Sequence, residues 1–447
     1  MNSTFRVSIC GGGIGGLMLA VVIGKYGTHP VDIFEAGPTI TTFGAGIGLF
    51  GRTMDVMKDL GLYDEFIKLA VKPPQENTSS TFRRSDQRDG YHWFSVNLRH
   101  GQLMLHRKDV VEFLLRCLPA SCKIHTSKKL NSYEVDSETG KTTLHFSDGD
   151  STVTDVLVGA DGIHSATRGT MYKKLASSIE DDESRKNLLE CIDPVWTGML
   201  AYRNLVPTEK LLKAYPDLEP PTDVTMHLGK DKHIVTFPVS KGKLINVVIF
   251  HHNRGTFGSP FEGRWVTDVH EEEVLHLFEG WDIRAEALAK CVEKPSRWAL
   301  HSLRPLPYYV DGAVALLGDA AHAMEPHFGA GAGQAMEDAY VLGRLLTHES
   351  THLGNVADAL KTYEEARLAF ANSVVQRSHN VARYYSFSVP PEGSETVPFN
   401  GTPEELDYVR KAIVDAWEWQ SEPGRVWENA EQLWDAKHGT CQSEAVN

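Results

Sequence analysis

The chain has 447 residues, long enough to bury a large core and to form two intimately joined domains. Its 45 basic and 59 acidic residues leave a formal net charge of −14, which argues against nucleic acid or an anionic membrane as the main partner. Six cysteines (Cys10, Cys117, Cys122, Cys191, Cys291, Cys441) show no C-x-x-C spacing, and twenty histidines fall at no familiar ligand spacing, so neither a disulfide framework nor a metal site is expected.

Residues Met1–Arg6 run into an apolar strand with no basic leader and no small-residue cleavage site. The longest apolar runs are too short and too interrupted by glycine to span a bilayer, so a cytoplasmic protein is expected. The sequon Asn77-Thr78-Ser79 carries no weight without a secretory signal.

In chain order, Phe5–Cys10 reads as a strand, Leu17–Tyr26 as an apolar helix and Val31–Phe34 as a second strand. This β-α-β opening is that of a dinucleotide-binding fold. Asp155–Gly159 and Ala313–Leu317 read as further buried parallel strands. Between them, Asp223–Leu228, His233–Val239 and Lys243–His251 are separated by turn signals and predict an antiparallel meander. The texture is helical from Gly333 to about Tyr385, and Glu404–Lys437 reads as a helical pair broken at Pro423-Gly424. Ser/Glu/Pro-rich 390–403 is the expected exposed connection.

Three glycine-rich stretches carry the chemistry. Gly11-Gly12-Gly13-Ile14-Gly15-Gly16 supplies G-x-G-x-x-G between strand and helix: Gly11 for a tight turn, Gly13 for close approach of a pyrophosphate, Gly16 for helix packing. Ile14 opens the helix, whose amides and dipole end face the phosphates. Glu35, nineteen residues after Gly16, is placed to accept ribose hydroxyls. The second stretch, Val158-Gly159-Ala160-Asp161-Gly162-Ile163-His164-Ser165-Ala166-Thr167-Arg168, closes a strand with an Asp-Gly turn. The third is Leu317-Gly318-Asp319-Ala320-Ala321-His322-Ala323, followed by Pro326-His327 and Gly329-Ala330-Gly331-Ala332-Gly333-Gln334. A glycine-rich bend that opens a helix repeats the anion-binding arrangement of the first.

Together the three ordered motifs resemble the class A flavoprotein monooxygenases, the family of para-hydroxybenzoate and salicylate hydroxylases. The resemblance implies an α/β fold in which a Rossmann-like FAD-binding domain carries an inserted β-sheet substrate domain and C-terminal helices. The expected boundaries are 1–190 and 296–385 for the two parts of the FAD-binding domain, 191–295 for the substrate sheet and 386–447 for the helical extension. It also implies FAD as cofactor, NADH or NADPH as reductant, dioxygen as co-substrate, and a monomer or homodimer. By the same resemblance Gly11, Gly13, Ile14, Gly16 and Glu35 hold the ADP half of FAD. Asp319 meets the ribityl chain, while Asp161 and Gly162 serve FAD and the nicotinamide cofactor. Arg107, Gly46 and Ile47 meet the flavin side, as do Pro326, Gly329, Gly331 and Ala332. Where many relatives carry Pro-Asn after the Gly44-Ala45-Gly46-Ile47 loop, this chain has Leu49-Phe50-Gly51-Arg52.

Likeness is greatest to the salicylate hydroxylase branch, carried by Ala201-Tyr202-Arg203-Asn204-Leu205-Val206-Pro207 and His233-Ile234-Val235-Thr236-Phe237-Pro238-Val239. Period-two geometry puts His233, Val235 and Phe237 on one strand face, where they roof an aromatic substrate. Arg52, Arg203 and His233 are candidate partners of a substrate carboxylate, and Arg52 is equally a structural helix-start residue. Pro326 and His327 precede the glycine run, so His327 is a candidate base for a phenolic proton, with His233 as a second catalytic candidate. The expected reaction is conversion of salicylate to catechol with decarboxylation. Hydroxylation or dearomatisation of another phenol or hydroxypyridine, and a flavin-binding protein without oxygenase activity, are the alternatives.

Overall fold

A computed structural model describes residues 4–40, 46–70, 78–388, 399–421 and 425–438. Residues Gly44 and Ala45, Asn77, most of 390–403 and the Pro423-Gly424 break lie outside these.

Four strands, Val314–Leu316, Val156–Gly159, Val7–Cys10 and Val31–Phe34, are parallel neighbours, with Cys122–His125 parallel on one edge and Val310–Asp311 antiparallel on the other. Each of the central strands is an aliphatic run because both of its faces are covered. The helix Ile14–Tyr26 is buried along all of Ile14–Ile23, between this sheet and the helix Gly331–Leu346. That close approach needs small residues, since a Cβ at Gly343 would sit 2.5 Å from Val22. The expected Rossmann-like layer is therefore present, and Ile14–Ile23 is apolar all round because that stretch is buried on every side.

A second sheet of eight strands stands beside the first. Its order is Val266–Asp268, Ser296–Ser302, Val195–Pro207, Leu244–His252, Lys232–Val239, Thr225–Gly229, Thr78–Arg84, Tyr91–Leu98. The meander read from sequence forms its centre. The sheet also recruits 78–98 and 296–302, which lie outside the 191–295 segment; Thr78–Arg84 pairs parallel with Thr225–Gly229. One face carries Ile234, Ile245, Val247 and Ile249 under the helix Ile283–Cys291. The other face looks back at the FAD-binding layer and is closed at one end by the helix Val356–Tyr385.

The helical pair near the C-terminus is Pro403–Ala416 and Val426–His438. The first is entered through a capping box, Thr402 accepting from Glu405 N and the Glu405 side chain accepting from Thr402 N. Its Trp417 and Trp419 pack edge-on to Phe50 and Phe328, which welds the extension to the strand that lines the cavity.

Candidate active site

All three glycine motifs converge on one cavity of about 430 Å³ between the two sheets. From the FAD-binding layer come Gly13, Ile14, Ala160, Gly162, Asp319, Pro326, Gly329, Gly331 and Ala332; from the wall beside them come Gly46, Ile47 and Arg107. The substrate sheet contributes Arg203, Phe237, Val248 and Trp298.

Gly11 and Gly16 do not line the cavity; they shape the turn that does. Gly11 has φ +111°, and a Cβ there would meet Ala160 O at 2.1 Å. The helix Ile14–Tyr26 begins beyond it with no acidic residue in its first turn, and the same holds for Gly331–Leu346. Two unopposed helix N-termini facing one cavity suit a ligand with a pyrophosphate. Asp319 lines the same cavity, one residue after Gly318 at φ +62°, and supplies an acceptor for ligand hydroxyls. The residues present therefore fit FAD.

Glu35 closes its strand end, where Oε2 accepts Gly12 N at 2.9 Å and Oε1 accepts Gly37 N at 2.8 Å. Each oxygen keeps a further lone pair, and Glu35 itself does not line the cavity. Asp161 departs from expectation. Its carboxylate accepts Ser165 Oγ at 2.5 Å, Thr167 N at 3.0 Å and Thr167 Oγ1 at 3.1 Å, so it fixes the entry to the helix Ala166–Ser177. Gly162 alone of that pair lines the cavity. Arg168 completes the turn by donating to Ile163 O, Ile192 O and Ala320 O, which ties the second motif to the third.

Arg52 is corrected more strongly. Its guanidinium is buried, donates to Glu337 Oε1 and Oε2 at 3.2 and 3.0 Å, and stacks on Phe370. It is committed to the protein interior and does not line the cavity. Glu337 also accepts Arg367 Nη1 at 2.8 Å, and the neighbouring Asp338 accepts Arg367 Nε, His322 Nε2 and Gly318 N. Sequence inspection passed over this buried network, although adjacent Glu337-Asp338 in an apolar helix was its signal.

Arg203 is the opposite case. Its guanidinium lies over the Trp298 ring at 5.3 Å, in the cavity wall, and among the described residues no carboxylate is paired with it. Burial and the nearby charge of Arg107 both push its pKa down, and both residues line the same cavity. An anion placed there relieves both costs.

His233, Val235 and Phe237 do share a strand face, but the cavity covers only part of it. Strand register sets Asn246 beside Phe237, Val248 between Arg203 and Val235, and Phe250 between Ala201 and His233. Phe250 lines the cavity, whereas His233 is fully buried, stacked on Phe250 at 4.5 Å and capped by Tyr385 and Ser386. His327 is buried too, with its ring 4.8 Å from Phe250 and 5.3 Å from His233. Neither ring is exposed in the cavity, so the direct substrate contacts expected of His233 and His327 are corrected to places one side chain behind its wall. Burial and the neighbouring His327 hold the His233 imidazole well below its usual pKa, hence neutral. Asn246 and Glu325, both cavity residues, went unremarked in sequence. Alternation along Leu244–His252 singles out Asn246, the one amide on a face otherwise held by Val248 and Phe250.

Comparison with known proteins agrees with this geometry. The FAD binding domain family matches residues 4–185 and 231–378. A salicylate hydroxylase of Pseudomonas putida is 36% identical over 399 residues, covering 87% of this chain and 88% of that protein. The chain belongs to the salicylate hydroxylase family of FAD-dependent aromatic monooxygenases. A 6-methylsalicylate 1-monooxygenase of Aspergillus terreus is 31% identical, covering 87% of this chain and 84% of its own length. A salicylate hydroxylase solved as a substrate complex superposes with a TM-score of 0.79 at 31% identity, covering 96% of this chain and 98% of that one. FAD is the cofactor of this enzyme. Among the described residues no helix is long and apolar enough to cross a membrane, and no His, Cys, Asp and Glu group is placed to hold a metal ion.

Proposed function

We propose that this enzyme hydroxylates a small phenolic acid, salicylate first among them, with NADH or NADPH as reductant, and releases catechol and carbon dioxide. Reduced FAD supplies the reaction with dioxygen and the transfer of one oxygen atom to the ring. The protein binds, orients and dries the substrate.

Arg203 carries this reading. It is a half-buried cation without a carboxylate partner among the described residues, and it lines the cavity with Arg107, Val235, Phe237, Val248 and Phe250. An aromatic ring fits the apolar face, and a carboxylate ortho to the phenol pairs with the guanidinium. Anchoring the acid there holds the carboxyl-bearing carbon and the phenol in fixed relation to the flavin side of the cavity, lined by Gly46, Ile47 and Pro326. The salicylate and 6-methylsalicylate enzymes among the relatives support an acid of this size.

Initial rates of NAD(P)H oxidation with salicylate, salicylamide and phenol, with catechol measured alongside, test it. Salicylate is expected to stimulate oxidation far above the two neutral compounds. Equal stimulation by salicylamide overturns carboxylate recognition.

A further inference from the structure

The outer face of the substrate sheet, turned away from the FAD-binding layer, is aliphatic at its centre, where Ile234, Ile245, Val247 and Ile249 lie under the helix Ile283–Cys291. Toward the strand Thr78–Arg84 that face turns polar. Register sets Thr225 between Thr81 and Thr236, and His227 between Arg83 and Ile234. Thr81, Arg83, Thr225, His227 and Thr236 form the floor of a cavity of about 590 Å³. Leu211 and the segment Leu218–Thr222 complete it, and the covering helix adds Arg284 and Leu288. Packing alone would place aliphatic side chains on such a floor, since a buried polar group costs free energy unless it is bonded.

His227 is only 3% exposed, and its Nδ1 lies 3.3 Å from Ser85 Oγ. The one hydroxyl proton of Ser85 goes to Asp282 Oδ2 at 2.9 Å, so Ser85 Oγ accepts from a proton on His227 Nδ1. Burial, the largest influence, holds this imidazole neutral at about 4. Its Nε2 is therefore an acceptor, and it has no hydrogen-bond partner among the described residues. Two cations stand beside it. Arg83 Nη2 donates to Gly90 O at 3.1 Å and to Asp282 Oδ2 at 3.4 Å, while its buried Nε has no partner. Arg284 donates to Glu219 O at 3.4 Å and is paired with no carboxylate among the described residues. Asp282 is already bonded to Ser85, Arg83 and Ala285 N, and the Glu219 side chain is exposed.

We propose that this cavity is a second ligand site, separate from the main one, for a small hydroxylated carboxylic acid with an apolar body. The guanidiniums of Arg83 and Arg284 take the carboxylate, and His227 Nε2 accepts from the hydroxyl. Leu211, Leu218, Pro220, Pro221 and Leu288 cover the body. Inorganic phosphate would leave that apolar wall unmatched, and a simple carboxylate would leave His227 without its donor. The volume lies within the range of small-molecule sites. This chemistry comes from the outer lining alone and stands apart from the substrate reading of the main cavity. The two cavities nevertheless share a strand, since Thr236 points outward between Val235 and Phe237, which line the main one.

The test is equilibrium dialysis of labelled 3-hydroxybenzoate, 4-hydroxybenzoate and benzoate against the oxidised FAD-loaded enzyme, without NAD(P)H. Wild type is compared with Arg284→Gln, Arg203→Met and the double variant. A second site predicts that Arg284→Gln binds one hydroxybenzoate fewer per chain than wild type, and that the same loss appears in the Arg203→Met background. At the site that Arg284→Gln removes, at least one hydroxybenzoate is expected to bind about tenfold more tightly than benzoate, the worth of one hydrogen bond. Turnover of salicylate by Arg284→Gln is expected to stay within a factor of two of wild type, because the main cavity is untouched. Equal numbers bound by wild type and Arg284→Gln overturn the second site. Equal affinities there for benzoate and both hydroxybenzoates overturn the assignment of a hydroxy acid. If Arg203→Met loses no ligand while Arg284→Gln loses one, the outer site stands and the carboxylate role of Arg203 falls alone.

Discussion

Asp338 accepts the backbone N–H of Gly318 at 3.1 Å, from the part of the helix Gly331–Leu346 that lies behind the cavity wall. The same oxygen takes His322 Nε2 at 2.5 Å, and the other takes Arg367 Nε at 2.8 Å. Burial alone would raise the Asp338 carboxyl, but His322 and Arg367 hold it down at about 2. One carboxylate thereby fixes both ends of the short helix Asp319–His322, whose first residue lines the cavity. Asp338→Asn is expected to weaken FAD binding at least tenfold, since the Gly-Asp turn loses its charged anchor. Asp319→Ala weakens it by direct loss of a hydroxyl acceptor. Titration of the apoprotein by flavin fluorescence measures both, and wild-type affinity in Asp338→Asn contradicts the anchoring role.

The Arg52–Glu337 pair yields a prediction about stability rather than substrate. Arg52→Met leaves Glu337 with Arg367 and a hydrogen bond from Gln334, and is expected to cost about 3 kcal/mol, typical of breaking a buried ion pair. The KM for salicylate in the folded variant is expected to stay within a factor of two. Denaturant unfolding reads the first quantity and steady-state kinetics the second. A tenfold rise in KM without loss of stability would return Arg52 to the substrate.

Arg203→Met keeps an unbranched apolar side chain and removes the guanidinium that lies over Trp298. The KM for salicylate is expected to rise about a hundredfold or more, because a buried carboxylate without its partner costs several kcal/mol. Phenol and salicylamide should be nearly indifferent to the change. A uniform loss across all three compounds would make Arg203 a packing residue.

A pH effect on stability follows from the other face of the sheet. His227 is buried, and burial, the largest influence, lowers its pKa to about 4 from the usual 6.5. Between those values the unfolded chain binds a proton that the folded chain does not, so stability falls as pH drops through that window. The contribution of this one residue is on the order of 3 kcal/mol. His227→Gln is expected to flatten the dependence of unfolding free energy on pH between about 6.5 and 4. An unaltered slope would show that His227 is not neutral in the fold.

The layered fold and the cofactor wall were legible because glycines announce backbone geometry locally. Gly11, Gly13 and Gly16 need only their own strand and helix to be placed, and Gly329–Gly331 likewise. The directions of long side chains were not legible, since these depend on distant partners. Arg52 is turned inward by Glu337, 285 positions away, and His327 by Glu325, whose second partner is His379, 54 positions on. Asp161 is turned to its own helix by three donors, Ser165 Oγ, Thr167 N and Thr167 Oγ1. The strand parity of His233, Val235 and Phe237 was readable; that the cavity stops at Phe250 was not, because the helix that caps it arrives from residues 356–385.

The measurement that bears most directly on the central claim is product accounting with the purified FAD-loaded enzyme. NAD(P)H consumed, catechol formed and carbon dioxide released are quantified together in the presence of salicylate, with salicylamide as the control. Near-equal amounts of all three with salicylate, and little oxidation with salicylamide, are predicted. Rapid NAD(P)H oxidation that yields neither catechol nor carbon dioxide, or equal turnover of the amide, would contradict it.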